Sequence, residues 1–441
     1  PTLAQKFRME QGSEIGERAR GLFPEGVIIS TGNLAEAAAE TAELVRAGGP
    51  SVLFEATFLV DEYAAKADVL RRIGDGWHLV EVKSNINLNQ ELVDDLAYTS
   101  MVLSRAGLRI MKASFLLISK DFRLGLGDSE MFAEYDCTEN VLARMADFQP
   151  SWDIIRDRTS AASMPEPTMI PACKSCGVFS DCLGKGIDNH IFDISRLSRK
   201  KVDALTDLGV VRIEEIPQMF ELTEIQARTR QAVVSGQPWI GPNLKPSLNA
   251  IQWPTYYLDF ETVMTALPLY PETPPYTQIP TQYSIHKSIQ VGIVDSHSEY
   301  LSDPKRDCRR DLAEKLITDL HGEGSIISYS NFEKTTINGL AALFPDLEAD
   351  LSKLVQRIFN LEAVIRDNYY HPSFHGKTSV KATLPALVPE MSYATLNIKD
   401  GDSAMATFAN MALGRYTDEE TESLKKDLLA YCCQDTLAMV K

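Results

Sequence analysis

Four residues in the N-terminal part of the chain have side chains that could bind a divalent cation and activate water. Asp68, Glu81 and Lys83 follow the pattern D-x12-E-x-K, and Glu55 precedes them. Side chains alternate between the two faces of a strand, so Glu81 and Lys83 lie on one face. The acids would hold the cation, and the lysine would activate the attacking water and stabilise the developing phosphorane charge. This pattern predicts metal-dependent hydrolysis of phosphodiesters, with Glu55 completing the metal shell.

A second set of residues lies in the C-terminal part. Asp259 and Glu261 are two residues apart on a predicted strand and therefore share a face. Tyr431 and Asp435 are four residues apart on a predicted helix and also share a face. Such carboxylates would hold two cations about 4 Å apart, and the tyrosine would position water for in-line attack.

Each pattern has a simpler structural interpretation when it is taken alone. An isolated E-x-K pattern is more often an exposed strand edge with a salt bridge. A Tyr-x3-Asp pattern is more often a core tyrosine beside a surface acid. The complete spacing of Asp68, Glu81 and Lys83 favours a catalytic interpretation, as does the pairing of Tyr431 and Asp435 with the two acids on the strand.

A cluster of cysteines predicts a metal-binding element. Cys173, Cys176 and Cys182 lie within ten residues in the pattern C-x2-C-x5-C. In a chain of cytosolic type, such spacing favours metal binding over disulfide bonds. A tetrahedral metal or a cluster needs four ligands, so one ligand must come from elsewhere. The expected role is structural, because no redox partner motif accompanies the cysteines.

Composition limits the class of protein. A chain of 441 residues is longer than a single hydrophobic core usually supports, which predicts more than one domain. Its content of 44% apolar and 24% charged residues is typical of a folded protein. The absence of any apolar run near the roughly 20 residues that span a bilayer, and of a signal-peptide segment, predicts a cytoplasmic protein without membrane contact. The net charge of −17 argues against nonspecific coating of nucleic acid. It does not exclude a nuclease, which concentrates carboxylates at its centre and needs only a local basic rim.

The elements that must position the first set are predicted within residues 1–165, as a compact α/β domain. Apolar periodicity and turn residues predict the following helices and strands. The helices are 11–23, 34–47 and 89–106, and the strands are 26–30, 52–59, 67–72, 78–82 and 110–118.

Proline-rich segments divide the rest of the chain. A boundary at 164–171 precedes the cysteine element, 166–190, and a helical connector is expected over 191–245. Gly209 lies between two helical segments of this connector, which is either a helix-hairpin-helix element that approaches phosphate or a plain helical linker. A last α/β domain is expected over 246–441. Its predicted strands are 256–260, 281–287 and 325–329, with helices following to the end.

The region from Gln11 to Cys182 resembles the PD-(D/E)xK nucleases of the RecB type, which have a restriction-endonuclease-like fold. These include the iron-sulfur exonucleases of CRISPR spacer acquisition. The resemblance rests on the D-x12-E-x-K pattern and the preceding Glu55. Ser13 stands where these relatives often have a metal-binding histidine, and Thr99 where a glutamine usually follows an aromatic residue.

This resemblance implies a 4Fe-4S cluster, in which a distant N-terminal cysteine joins the cysteine triplet. That cysteine would be expected before Pro1. Cys137 and His190 are alternative fourth ligands within the chain, and with either of them zinc becomes the alternative metal. A cysteine triplet that binds no metal is the third alternative.

The C-terminal region resembles the RNase H-like exonucleases of the DEDD type. Its combination with the cysteine-bearing region resembles a bacterial family, domain of unknown function 2779. The most specific segments are 257–262, 371–372, 379–381 and 431–439. Glu333 occupies the position of the second exonuclease motif, which usually carries aspartate, and is therefore the candidate third acid. Lys381 and His371 either contact the scissile strand or have a core or surface role.

These patterns together predict a nuclease that uses Mg²⁺ or Mn²⁺ and degrades nucleic acid from its ends, with DNA favoured over RNA. We expect a role in repair or anti-phage defence, with a helicase or a defence complex as partner. The alternative is a nucleic-acid-binding scaffold in which one or both sites are degenerate. A purely structural zinc protein would explain the cysteines but neither set of carboxylates.

Overall fold

Two separate sheets carry the two predicted sets of acidic residues. The computed structural model describes residues 1–46 and 48–441, and these residues form two compact units of mixed α/β structure. The first unit comprises Pro1–Pro165 and Met264–Gln278, and the second comprises Glu166–Val263 and Ile279–Lys441.

In the first unit, helices pack on the faces of a mixed sheet with the order β1-β2-β3-β4-β5-β6. Its helices are α1 (Leu3–Arg20), α2 (Leu34–Arg46), α3 (Gln90–Arg105), α4 (Asp128–Met131), α5 (Thr138–Phe148) and α6 (Ser151–Thr159). Its strands are β1 (Val27–Ile28), β2 (Val52–Val60), β3 (Tyr63–Ile73), β4 (Gly76–Lys83), β5 (Ile110–Ile118) and β6 (Phe132–Asp136). The predicted end of the second helix at Ala47 lies outside the described residues.

The sequence explains how these elements begin and pair. Thr2 and Gln5 form a capping box at the start of α1, and the Asn89 side chain accepts a hydrogen bond from Leu92 N at the start of α3. Strands β2, β3 and β4 pair antiparallel, whereas β5 pairs parallel to β4, with α3 as the crossover. Apolar residues from β2 to β5 and from α3 form the core, which includes Leu53 and Phe115.

The segment 264–278 belongs to the first unit although it interrupts the second unit in sequence. The N–H of Ala266 donates to Gln11 Oε1 at 3.1 Å. Ala266 and Leu267 also pack with Ile15 of α1 and Ile118 of β5. The predicted domain from 246 to 441 therefore contains a segment that packs elsewhere.

In the second unit, a five-stranded sheet has the order β10-β9-β8-β11-β12. Its strands are β7 (Trp239–Ile240), β8 (Thr255–Val263), β9 (Ile279–Ser288), β10 (Ser296–Leu301), β11 (Ile326–Ser328), β12 (Ile358–Asn360) and β13 (Tyr369–Tyr370), of which β7 and β13 form a separate pair. Strand β9 is antiparallel to β8 and β10, and β8, β11 and β12 run parallel.

The helices of the second unit cover both faces of this sheet. They are α7 (Arg199–Asp207), α8 (Glu224–Ser235), α9 (Leu244–Asn249), α10 (Arg309–Asp319), α11 (Phe332–Leu343), α12 (Glu348–Gln356), α13 (Leu361–Asn368), α14 (Val380–Leu387), α15 (Gly401–Ala412) and α16 (Asp418–Val440). Leu258 and Ile285 pack against α10 to α12 on one face. On the other face, Gln282 Nε2 donates to Leu428 O of α16 at 2.7 Å.

The cysteine element and the connector contain short 3-10 helices beside α7 and α8. The 3-10 helices of the second unit are Pro171–Ser175, Phe179–Asp181, Ile191–Asp193, Ile213–Glu215 and Pro372–Phe374. Gly209 follows α7 with a φ of 70°, a left-handed conformation that favours glycine. Helix α8 begins only at Glu224, so the second helix does not directly follow the glycine turn.

None of the described helices is long and apolar enough to cross a lipid bilayer.

Candidate metal sites with clustered carboxylates

Glu55, Asp68 and Glu81 lie side by side on three neighbouring strands. In the β2–β3 ladder, the residues on either side of Glu55 pair with those on either side of Asp68. The β3–β4 register, extended by one residue beyond the Val69–Val80 pair, places Glu81 opposite Asp68. Asp68 lies in the middle of β3 rather than at its start, because this strand begins at Tyr63 instead of residue 67. We call these three acids the acid row.

Hydrogen bonds and a lysine fix the inner part of the acid row. Asp68 Oδ2 accepts a hydrogen bond from Val82 N at 2.8 Å. Lys83 Nζ lies 3.6 Å from Glu81 Oε2 and 2.7 Å from Asp95 Oδ2 on α3. Glu81 is only 5% exposed, and its Oε1 has no hydrogen-bond partner. A buried carboxylate oxygen without a donor is an available ligand atom for a cation.

Burial raises the pKa of Asp68, and the Val82 N–H and Lys83 offset this only in part. Burial also raises the pKa of Glu81 well above its usual value, and the negative charge of Asp68 raises it further. Two adjacent carboxyl groups with raised pKa values are stabilised by a proton or by a cation. Their chemistry therefore fits a divalent metal ion.

Glu55 occupies the outer end of the row in an unusual conformation. Its φ is 60°, which is rare for a residue with a side chain. Lys66 Nζ lies 2.6 Å from Glu55 Oε2, and Arg20 Nη1 lies 3.6 Å from Glu55 Oε1. The acid row thus has a positively charged side chain at each end. Arg20 and Lys66 lie beside Glu55, and Lys83 lies beside Glu81.

A cleft with a volume of about 490 Å³ opens beside the acid row. Gly12 and Gly16 of α1 line it, and their lack of side chains leaves room above Glu55 and Asp68. Ser13 also lines the cleft, but its hydroxyl donates to Met9 O at 3.0 Å.

Thr99, the other position at which the sequence departs from the RecB-type pattern, is buried within α3.

Asp259, Glu261 and Asp435 converge in the second unit. Each residue offers one carboxylate oxygen as a ligand atom, and these three oxygen atoms lie within 4.8 Å of one another. Asp259 and Glu261 lie on the face of β8 that α16 covers, because they pair with Ser284 and Gln282, whose side chains bond α16. We call these three acids together with Glu333 the acid cluster.

Glu333 joins this cluster from the second residue of α11. It is 3% exposed, and its Oε2 has no hydrogen-bond partner. Burial raises its pKa to about 7, and the charge of Asp435 contributes. The sequence-based candidate for the third acid therefore lies within electrostatic reach of the other acids.

The remaining acids of the cluster also have raised pKa values. Burial and then the charge of Asp435 raise the pKa of Glu261 to about 8, while Lys381 lowers it. The same two causes raise the pKa of Asp259 well above its usual value, and burial raises that of Asp435. Buried and half-buried carboxyl groups that raise one another's pKa fit divalent cations, because a cation offsets their mutual repulsion as a proton would.

Two tyrosines and a lysine border the acid cluster. Lys381 Nζ donates a hydrogen bond to Tyr431 OH at 2.9 Å, and Tyr393 OH donates to Asp435 Oδ1. Burial and nearby carboxylates raise the pKa of both tyrosines, so both remain neutral phenols. The sequence indicated Tyr431 by its spacing from Asp435. It gave no signal for Tyr393, which lies in a loop.

Asp400 and His371 each cap a helix of the second unit. Asp400 caps α15 by accepting a hydrogen bond from Ser403 N at 2.7 Å, and its charge raises the pKa of Glu261. His371 Nδ1 accepts a hydrogen bond from Ser373 N at 3.1 Å and so caps the 3-10 helix that follows. The capping role explains this histidine without contact to a substrate.

Cys173, Cys176 and Cys182 are free thiols on the 3-10 helical segment of the second unit. Among the residues that the structure describes, they do not form a group of three ligand atoms within 4.8 Å. Three partly or fully exposed thiols are suitable donors for iron or zinc, but their sulfur atoms are not converged here. The cluster predicted for them stays a prediction.

The two proposed fourth ligands each have a local packing role. Cys137 is buried in the hydrophobic core of the first unit. His190 packs against the rings of Phe179 and Phe192, its Nδ1 accepts a hydrogen bond from Phe192 N at 3.1 Å, and its Nε2 is buried without a hydrogen-bond partner. A neutral histidine that accepts at Nδ1 carries its proton on Nε2, so His190 would have to give up that hydrogen bond or that proton to bind a metal.

Comparison with known proteins gives one match. A family model described as Domain of unknown function (DUF2779) matches residues 256–379. The matched segment contains Asp259, Glu261 and Glu333 and ends before Tyr431 and Asp435. No curated protein and no solved structure matches the chain.

Proposed function

We propose that this protein is a metal-dependent nuclease with two separate catalytic sites, one at the acid row and one at the acid cluster. The observation that carries the proposal is the convergence of Asp259 and Glu261 of β8 with Asp435 of α16, whose ligand oxygens lie within 4.8 Å of one another. Three carboxylates without a balancing set of cations destabilise a fold unless they bind protons or metal ions. Proteins commonly use such groups to position divalent cations for phosphoryl chemistry.

The arrangement of elements supports the two fold resemblances. The first unit has a helix, three antiparallel strands, a crossover helix and a parallel strand, with the acids in the middle of its sheet. This is compatible with a PD-(D/E)xK nuclease of the RecB type. In the second unit, acids from the central strand face a C-terminal helix that carries a tyrosine and an aspartate. That arrangement is compatible with an RNase H-like exonuclease of the DEDD type.

At the acid cluster, the residues of the chain have distinct roles in this proposal. Mg²⁺ or Mn²⁺ bound by Asp259, Glu261, Glu333 and Asp435 would supply Lewis-acid activation of the phosphate and of the attacking water. Tyr431 remains a neutral phenol, so its hydroxyl can orient water by hydrogen bonding. Lys381 fixes that hydroxyl and provides positive charge for the phosphate.

At the acid row, Asp68 and Glu81 would hold the cation, with Glu55 at its outer side. Lys83 lies against Glu81 and Asp95 and would stabilise the charge that develops on the phosphate. The adjacent cleft is about 490 Å³ and has Arg20 on its wall. A local positive group at the entrance compensates for the acidic charge of the whole chain when a phosphate approaches.

The proposed substrate is nucleic acid, with DNA favoured over RNA, in repair or anti-phage defence. The test is to incubate metal-free protein with end-labelled single-stranded and double-stranded oligonucleotides in Mg²⁺, Mn²⁺, Ca²⁺ or EDTA. We expect stepwise shortening from an end in Mg²⁺ or Mn²⁺ and intact substrate in EDTA. If the protein binds the oligonucleotide but cleaves it in none of the metals, it is a nucleic-acid-binding scaffold and not a nuclease.

For the cysteine triplet we propose a structural 4Fe-4S cluster, with zinc as the alternative metal. Elemental analysis of anaerobically purified protein measures iron directly. Iron that disappears in Cys176→Ser but persists in Cys308→Ser supports the cluster. Zinc in place of iron at the triplet would reject it.

A further inference from the structure

A second group of metal-binding side chains lies on the same sheet face as the acid cluster. His286 on β9 pairs directly with His297 on β10. Together with Cys433 of α16, they offer three ligand atoms within 4.8 Å of one another. Nitrogen and sulfur donors favour zinc and related transition metals, whereas the carboxylates of the acid cluster favour Mg²⁺ or Mn²⁺.

The sheet register explains why these residues meet. The face of β9 that α16 covers carries every second residue of the strand, namely Gln282, Ser284 and His286. His297 lies opposite His286, so its side chain lies on the same face. Cys433 is on the part of α16 that covers this edge of the sheet, three residues before Thr436.

Hydrogen bonds prepare His286 as a ligand. Thr436 Oγ1 lies 2.8 Å from His286 Nδ1 and 2.8 Å from Ser284 Oγ. These contacts hold the His286 ring by Nδ1, so Nε2 is the ring nitrogen that would bind a metal. A metal-binding histidine usually has its other ring nitrogen held in this manner.

His286 is the buried member of the group and is 5% exposed. His297 has a side chain that is 27% exposed, so an ion could reach the group from solvent.

A fourth donor is close by. Glu299 is two residues after His297 on β10 and shares its face, and Glu299 Oε2 lies 4.0 Å from His297 Nε2, which also lies 2.9 Å from Ser284 Oγ. Two nitrogens, one sulfur and one carboxylate oxygen make up a four-ligand set that suits tetrahedral zinc.

We propose that His286, His297 and Cys433, with Glu299 as the fourth ligand, form a structural zinc site separate from the acid cluster. The site would link the β9–β10 hairpin to α16, the helix that carries Tyr431 and Asp435. Zinc would therefore hold this helix in place over the sheet. The proposal does not depend on nuclease activity.

Cobalt(II) is the probe for this site, because thiolate ligation gives near-ultraviolet charge-transfer absorption and tetrahedral geometry gives strong visible absorption. The full chain is freed of metal and titrated with Co²⁺, and bound zinc is measured in parallel by elemental analysis. We expect Cys433→Ser and His297→Gln each to lose one equivalent of metal and the corresponding absorption. Zinc should raise the melting temperature of the wild type, and this rise should disappear in His297→Gln.

Two variants control for other thiols. Cys308→Ser removes a buried thiol elsewhere in the same unit, and Cys176→Ser removes one from the cysteine triplet. Both should retain the metal equivalent that His297→Gln loses. His297→Gln keeps the test valid if Cys433→Ser does not fold, since His297 lies on the exposed side of the group. Unchanged stoichiometry and absorption in His297→Gln would overturn the proposal, as would cobalt binding that depends on Cys176 alone.

Discussion

The acid row and the acid cluster bring carboxylates together under different charge balances. In the acid row, Lys66 pairs with Glu55 and Lys83 pairs with Glu81, so each end of the row has a cation within salt-bridge distance. In the acid cluster, none of the salt bridges between described residues involves any of the four acids, and Lys381 lowers the pKa of Glu261 and Asp435 from a longer distance. The row is partly neutralised by the protein itself, whereas the cluster depends on protons or metal ions.

This difference has consequences for both stability and function. An acid whose charge is balanced by lysine can remain ionised in the absence of metal. Buried acids without such a partner destabilise the folded state when they ionise. We therefore expect the acid cluster to respond more strongly than the acid row to metal removal and to pH.

The largest expected effect is on catalysis at the acid cluster. Asp259→Asn in an Asp68→Asn background should abolish residual cleavage, a loss of roughly 10³-fold or more, because a metal ligand contributes several kcal/mol to the transition state. Single-turnover cleavage of an end-labelled oligonucleotide measures this. Asp350→Asn, on the exposed part of α12, is the matched control and should cleave like its parent. Undiminished cleavage by the Asp259→Asn protein would show that the acid cluster does not cut.

A loss of catalysis with intact metal binding is expected when only the positioning of water is disturbed. Tyr431→Phe should slow the chemical step by roughly 10²–10⁴-fold, which is typical of a positioned catalytic group. Binding of Mn²⁺, measured by calorimetry, should be unchanged because the carboxylates remain. Tyr416→Phe, in the loop before α16, serves as the control. Loss of Mn²⁺ binding in Tyr431→Phe would assign the tyrosine to the metal shell instead.

At the acid row, the two lysines provide a direct comparison. Lys83→Met should reduce cleavage at this site by roughly 10²-fold, because it removes a charge beside Glu81 and the reacting phosphate. Lys66→Met should have a much smaller effect, since Lys66 contacts only the outer acid, Glu55. Both are measured in an Asp259→Asn background. Equal losses in the two variants would contradict the specific role of Lys83.

The smallest effect concerns stability in the absence of metal. The folded-state pKa of Glu261, about 8, exceeds its ordinary value of 4.5, so the folded protein binds this proton more tightly than the unfolded chain. Its contribution to stability is complete below the unfolded value and is lost as pH rises towards 8. Glu261→Gln should therefore raise the melting temperature at pH 8 in EDTA, with a free-energy gain on the order of a few kcal/mol at most.

The same measurement with Mg²⁺ tests the cause. Mg²⁺ should stabilise the wild type at pH 8 more than it stabilises Glu261→Gln. Glu348→Gln, at the exposed start of α12, should melt like the wild type under both conditions. In EDTA, the melting temperature of the wild type should fall from pH 5.5 to pH 8. If it does not fall, ionisation of Glu261 is not the cause of the destabilisation.

Local sequence patterns were sufficient to predict several strands of the two sheets. The strand predicted over 110–118 is observed as Ile110–Ile118, because a continuous apolar run bounded by turn residues suits a buried strand. The period of two on β8 correctly predicted that Asp259 and Glu261 share a face. Strand β3 began earlier than expected, since Asp61 and Glu62 form its turn with φ values of 50° and 70°. Those residues lack the glycine or asparagine that usually signals such a hairpin.

Long-range contacts could not be predicted in this way. Tyr393 contacts Asp435 from a loop without periodicity, and Lys381 meets Tyr431 from a helix 50 residues away. The pairing of His286 with His297 depends on the register of the β9–β10 hairpin, which the sequence did not specify. The packing of residues 264–278 in the first unit likewise follows from tertiary contacts rather than from local propensity.

The proposed nuclease has two separate metal-dependent sites that cut nucleic acid. The decisive experiment compares the wild type, Asp68→Asn, Asp259→Asn and the double variant in single-turnover cleavage of one end-labelled DNA in Mg²⁺. We expect each single variant to lose one set of products and keep the other, and the double variant to leave the DNA intact. Full cleavage by the double variant, or loss of all products in either single variant, would contradict two independent sites.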